Sequence, residues 1–333
     1  MAERMQQLRR SAGNTRGSIA ARPKASWRIR TSAFVVAAAF GAGTTTEALA
    51  NPQGAKVVSG SASITNSGNT LVIKNSPGAI INWQSFSIGA GETTNFIQQS
   101  VNSAILNRVV GVDPSVILGT LTSNGHVYLV NPNGVVFGKG AMVDAAGLVV
   151  SSLDITDQDF KNGTLRFVGS DTSGSISVAG VLRSTDGDVY LIAPNVTNSG
   201  SITAVNGNVT LAAGQNVEIL GNGLTDIQFN VQNKTNSAIN LGQITGDAVG
   251  LFAGTITQAG GVNATTATIS GGKVVLSAAG DVTLASGSST SADNIQGTAG
   301  SVSIQSASGN INVAPGASVS ASGASGGTVT LLA

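Results

Sequence analysis

Short β-type runs recur along this sequence at a spacing near 20 residues, and that spacing constrains the fold more than any other feature. His126-Val127-Tyr128-Leu129-Val130-Asn131-Pro132-Asn133 aligns with Asp188-Val189-Tyr190-Leu191-Ile192-Ala193-Pro194-Asn195 at an offset of 62. Asn208-Val209-Thr210-Leu211 repeats Asp188-Val189-Tyr190-Leu191 after 20 residues, and Val282 to Val302 spans another 20. Three such periods account for the 62. Further echoes are Lys273-Val274-Val275-Leu276, Asp281-Val282-Thr283-Leu284 and Thr328-Val329-Thr330-Leu331. A period of about 20 is what one coil of a three-faced β-helix needs, with three short strands and three turns. Alternation within each strand puts Val and Leu inward and Thr, Ser and Tyr outward. The expected fold is therefore all-β, a right-handed parallel β-helix (a solenoid) with an N-terminal cap. A β-sandwich or propeller competes, but the irregular turns and the lack of aromatic blade markers count against it. No helical 3.6-residue pattern persists after residue 50.

Composition agrees with a thin, stacked core. Glycine supplies 44 residues while aromatics make up 4% and charged residues 10%, too few large side chains for an ordinary mixed globule. A stack of short strands buries a long narrow core with small and β-branched residues instead. Its terminal coils would expose unpaired edges, so an end needs a cap. Residues 57–100 are the candidate, with Trp83 and Phe86 in Ile80-Ile81-Asn82-Trp83-Gln84-Ser85-Phe86-Ser87-Ile88.

The first fifty residues read as a separate, removable segment. Arg4, Arg9, Arg10, Arg16, Arg22, Lys24, Arg28 and Arg30 precede an apolar run from Ala33 to Ala42, and Ala48-Leu49-Ala50 follows it. Basic region, short apolar core and a small-x-small site form an extended signal peptide, with cleavage expected between Ala50 and Asn51. About ten apolar residues fall short of the roughly twenty a membrane span needs. A mitochondrial transit peptide is the other reading of an Arg-rich, acid-poor segment; the Ala-rich core and A-x-A favour the secretory one. Of the chain's 17 basic and 16 acidic residues, the part after residue 50 keeps nine and fourteen. The mature chain is then acidic, and no basic surface remains to neutralise phosphates, which argues against a nucleic-acid partner.

Catalytic and metal chemistry finds little purchase. There is no cysteine, which removes thiol nucleophiles, iron–sulfur clusters and thiolate zinc sites and suits a chain that crosses a membrane unfolded. The single histidine, His126, opens a predicted strand with no partners placed for a triad or a metal. Asp154, Asp157 and Asp159 cluster after Ser-Ser-Leu, and Asp186 and Asp188 share a turn. Such acids could bind calcium or serve a carbohydrate-active β-helix, but solvated turn acids are the simpler reading. No calcium repeat or phosphate loop is present. Asn195-Val196-Thr197 and Asn208-Val209-Thr210 fit the glycosylation triplet, a pattern common in any Asn/Thr-rich chain. The expectation is a protein that is not an enzyme, with no cofactor, no metal and no catalytic residues.

At Ile80–Ile88, Ser103–Val109 (SAILNRV), Leu121–Lys139 (LTSNGHVYLVNPNGVVFGK) and Ser151–Ile155 (SSLDI), the sequence resembles the TPS domain of two-partner secretion exoproteins. This is the filamentous-haemagglutinin N-terminal domain family, and the resemblance, over roughly residues 55–300, is to its high-molecular-weight adhesin branch. Asn131-Pro132-Asn133-Gly134 is the most specific element: Pro132 fixes φ and Asn133-Gly134 admits left-handed geometry, so the chain can turn sharply. Some members carry an earlier NPNL motif; here Leu106-Asn107-Arg108-Val109 occupies that region.

The resemblance implies residues 1–50 as signal, 51–300 as the secretion domain and 301–333 as the start of further β-helix repeats. It implies export through the periplasm to the surface or medium of a Gram-negative bacterium. Recognition would be by the POTRA domains of a dedicated outer-membrane barrel transporter, which strand addition would suit. Asn131, Pro132, Asn133 and Gly134 are the expected secretion motif, with Trp83 and Phe86 as cap or transporter contacts; each can equally act by shaping the fold. The whole exoprotein would be of adhesin or haemagglutinin type, with host-cell surface glycans or proteins as further partners. A secreted carbohydrate-active β-helix enzyme and a haem-acquisition or cytolytic exoprotein remain the alternatives.

Overall fold

A computed structural model of the chain describes residues 51–170, 172–220, 235–265 and 271–333, together with the backbone of Ile227–Asn230. The described chain winds through three faces in turn. In one coil the strand His126–Val130 leads to Val135–Phe137, then to Met142–Ala145, and Gly147–Ser151 returns to lie beside His126–Val130. Repetition builds two sheets of eleven strands and one of eight, with coil-to-coil neighbours parallel. The fold is the expected parallel β-helix.

Register explains why the repeat is legible. Ala79, Ile105, Val127, Leu148, Val189, Val209, Val249, Val274 and Val302 stack as one inward column on the first face. Leu129, Val150, Leu191, Leu211, Leu251, Leu276 and Ile304 form the next. All are buried in one continuous core, where a column of similar branched side chains removes apolar area from water at every step.

Two of the spacings read from sequence have a different cause. The offset of 62 is not three coils: Val127 pairs with Leu148, and Leu148 pairs directly with Val189, so only two coils intervene. The second is lengthened because residues 152–175 leave the solenoid, forming the helix Asp157–Asn162 and the strand Leu165–Val168. A second excursion supplies Asn216–Ile219 and Ile227–Asn230, and these three strands make an antiparallel sheet of their own. Nor is Val282 one coil from Val302. Val282 lies on the eight-stranded face opposite Ile256 and Ile311, while Val302 lies on the first face opposite Val274.

The excursions also change the expected alternation. They cover the outer side of the first face, where Ile80, Leu106, Val130, Val149 and Ile192 join Phe160, Phe167, Val217 and Ile219 in a second buried cluster. Val189–Ala193 is consequently buried on both sides, and Tyr190, expected outward, is only 7% exposed.

The N-terminal end is closed by antiparallel strands. Ala62–Ser67 folds back on Thr70–Asn75, and Lys56–Ser59 runs antiparallel to Ala79–Trp83. The edge of the eight-stranded face is met by Ser87 and Ile88: the Val116 amide donates to Ser87 Oγ at 3.0 Å, and the Leu118 amide to the Ile88 carbonyl at 2.8 Å. These contacts satisfy backbone groups that a bare terminal coil would leave unpaired.

Candidate functional site

The Asn131–Gly134 turn joins the first face to the eight-stranded face, and its polar atoms are almost fully engaged within the chain. Asn131 is buried; its Nδ2 donates to the Asp113 carbonyl and to Ser115 Oγ, both at 3.0 Å. Its Oδ1 accepts from the Asn133 amide at 3.0 Å, so the side chain imitates a backbone turn. The Gly134 amide donates to the Asn131 carbonyl at 2.9 Å and closes the turn. Gly134 has φ of +101°, and a Cβ there would stand 2.7 Å from the Ser175 carbonyl oxygen, so only glycine fits. The next coil rests on the turn through the Gly174 amide, which donates to the Pro132 carbonyl at 2.7 Å. Pro132 and Asn133 themselves face solvent.

Trp83 and Phe86 lie elsewhere, inside the first coils. Each is 1% exposed; their rings meet edge to face at 5.7 Å, and Phe86 stacks on Phe96 at 6.5 Å. In this folded form neither ring presents a surface. Asn51 is also tucked in, with its Nδ2 donating to the Asn69 carbonyl at 3.1 Å and its Oδ1 accepting from Thr94 Oγ1 at 2.9 Å. Ala48 and Ala50, like the whole signal segment 1–50, lie outside the described residues.

Arg108, to which no sequence motif assigns a role, is a junction in the structure. Its Nε donates to Asp154 Oδ1 at 3.0 Å, its Nη1 to Asp157 Oδ1 at 2.8 Å and its Nη2 to the Ile155 carbonyl at 2.6 Å. One guanidinium on the first face thus ties down the start of the first excursion. Burial works against its charge, but Asp157 and Asp154 outweigh that and hold its pKa above the ordinary value. Thr156 caps the short helix, with Asp159 as its partner in the first turn: Thr156 Oγ1 accepts from the Asp159 amide at 3.0 Å and donates to Asp159 Oδ2 at 2.8 Å. The aspartates that looked like a cluster are therefore divided between a clamp and a helix cap. The only signal for the clamp was an arginine among apolar residues in SAILNRV.

His126 opens onto a groove of about 550 Å³ lined also by Tyr128, Asp186, Asp188, Tyr190 and Asp247. Asp188 is committed: it accepts from the Tyr190 hydroxyl and from the amide and side chain of Asn208. Burial lowers the His126 pKa against the pull of Asp188 and Asp186, which leaves the ring neutral at pH 7. Burial and Asp188 push Tyr128 up to about 12 and raise Tyr190 further; burial, then Asp188, raises Asp247. Among the described residues no three His, Asp or Glu side chains converge as a metal site.

A family model described as the TPS secretion domain matches residues 48–331. A heme/hemopexin-binding protein of Haemophilus influenzae (strain ATCC 51907 / DSM 11121 / KW20 / Rd) is 38% identical over 175 residues, covering 50% of this chain and 19% of that protein. A second Haemophilus influenzae protein of the same description is 40% identical over 106 residues, 31% of this chain and 11% of its own. The matches thus span a fifth or less of these relatives' length. The crystal structure of the HMW1 secretion domain from Haemophilus influenzae aligns with a TM-score of 0.79 at 35% identity, covering 84% of this chain and 76% of that one.

Proposed function

This chain belongs to the TPS secretion domain family, and on that premise we propose that it is the export module of a secreted or surface exoprotein of adhesin type. Residues 51–300 carry recognition by a cognate outer-membrane transporter whose periplasmic POTRA domains receive the chain, and 301–333 continue the repeat outward. The observation that carries this reading is the Asn131–Gly134 turn, whose buried Asn131 and positive-φ Gly134 sit at a corner shared by successive coils. The signal segment takes the chain to the periplasm, Ala48 and Ala50 direct cleavage before Asn51, and coil-on-coil pairing outside the cell draws the chain forward. Deleting Asn131–Gly134 and assaying the culture medium tests this, with a strain lacking the transporter in parallel. Loss of release in both supports the reading; undiminished release without the transporter overturns it.

A second reading concerns the whole exoprotein. The 38% identity to a heme/hemopexin-binding protein makes haem acquisition the alternative to host-surface attachment as its task. Binding of the full-length exoprotein to hemopexin, measured against binding to host cells, separates the two.

A further inference from the structure

The two asparagines of the motif direct their amides to one short loop. Asn133 Nδ2 donates to the Gly111 carbonyl and Asn131 Nδ2 to the Asp113 carbonyl, each at 3.0 Å. The loop is held from its other side as well. The Val110 amide donates to the Trp83 carbonyl at 2.8 Å, and Gly111 lies so close to the preceding coil that a Cβ would stand 1.9 Å from the Gln84 carbonyl oxygen. Between the two bracketed carbonyls sits Val112, 84% exposed. Val110 is 49% exposed, and Pro114 and Pro132 are exposed beside it.

Single exposed apolar residues are ordinary on a protein surface. An immobilised loop that presents several together is different, because the entropy of ordering it is already lost before a partner arrives. Asp113, next to Val112, is exposed and makes no ion pair among the described residues. The surface is thus an apolar knob with one uncompensated negative charge.

We propose that Val112, flanked by Val110, Pro114 and Pro132, is the knob that the transporter's periplasmic domain receives in a shallow apolar groove with a basic rim opposite Asp113. The proposal rests on the transporter reading above. Asn131 and Asn133 are then positioning residues, which hold the knob without touching the partner. The side-chain contacts that shape it join residues 16 to 22 apart in sequence. Contacts this local form early, so the knob is available on a chain whose later coils are still unwound.

The test is export of the full-length exoprotein from cells carrying the transporter. Val112→Asp is expected to lower the amount in the medium at least tenfold with its urea midpoint unchanged, since the side chain touches little. Ile295→Asp, at a residue 85% exposed on a distant strand, controls for loss of any exposed apolar group and is expected to export normally. Asn133→Ala is expected to lose export as Val112→Asp does, and the double variant to be no worse than either, the non-additivity of two residues acting through one contact. Normal export of Val112→Asp, while deletion of Asn131–Gly134 blocks it, overturns the knob and leaves the transporter reading standing. Equal losses for Val112→Asp and Ile295→Asp also overturn the knob. Release that persists without the transporter removes the reading beneath it.

Discussion

Trp83 Nε1 donates to Asn107 Oδ1 at 3.0 Å inside the core, joining two neighbouring coils. Asn107 occupies a column position that Leu129, Val150 and Leu191 fill in the coils that follow. It is fully buried, and its Nδ2 makes a longer bond of 3.3 Å to the Tyr128 carbonyl. Trp83→Phe leaves the Asn107 oxygen without its donor, an expected cost of about 1–3 kcal/mol on top of any packing loss. Adding Asn107→Leu to Trp83→Phe is expected to recover part of that. Urea unfolding of the unaltered chain and the two variants measures both; a double variant weaker than the single one contradicts the assignment.

Arg108→Ala is expected to loosen the first excursion while sparing the inner coils. Asp154 and Asp157 are half exposed, so water replaces the lost ion pairs, and the larger loss is the donor to the Ile155 carbonyl. A total of about 1–2 kcal/mol is expected. Hydrogen exchange reads it locally: amides of residues 153–168 should exchange faster, and those of Val189–Ala193 unchanged.

The chain has two tyrosines, so its alkaline titration is unusually simple to read. Burial and Asp188 place Tyr128 near 12 and Tyr190 higher, so the folded protein should show no tyrosinate absorbance at pH 10, where the unfolded chain is half ionised. Folded values above unfolded ones give stability that is complete below pH about 10 and lost as pH rises through the folded value. Absorbance at pH 10 in the folded protein would contradict the burial of these rings.

His126 works in the opposite sense. Its folded pKa lies below the usual histidine value, so its contribution is present above about pH 6.5 and lost as pH falls. Asp247, raised by burial and by Asp188, acts oppositely at lower pH, in the carboxylate range. His126→Gln is expected to flatten the fall in urea midpoint between pH 7 and 5. An unchanged slope places the sensitivity elsewhere.

Gly134→Ala is expected to destabilise the corner by about 1–3 kcal/mol, from positive φ and from the clash with the Ser175 carbonyl. Pro132→Ala, at an exposed position whose carbonyl still accepts from Gly174, should cost about 1 kcal/mol or less. A reversed order of thermal midpoints would mean that the turn depends on proline more than on glycine.

The parallel β-helix was legible because inward columns demand like residues at like positions, and Val127, Val189 and Val209 betray that demand at any distance along the chain. An N-terminal cap was expected because a coil end must be closed; the antiparallel strands Lys56–Ser59 and Ala62–Ser67 close it, while Trp83 and Phe86 fill the core of the first coils. Coil length was not legible. The acids Asp154, Asp157 and Asp159 were the sign in composition that the chain leaves the stack there, but the same stretch has the turn and β-type residues of the coils, and acids in turns do not say whether a turn closes a coil or departs from it. Arg108 was missed for the same reason: its partners Asp154 and Asp157 are 46 and 49 residues away.

Sequence alone thus determined the kind of fold and the special residues of one turn, because periodic burial and restricted φ are local demands written position by position. Tertiary structure alone decided what those residues do. Only once neighbouring coils pair does Asn131 reach Asp113, Asn133 reach Gly111, and Val112 stand out between them, because hydrogen bonds across coils depend on register, and register is set where one coil meets the next.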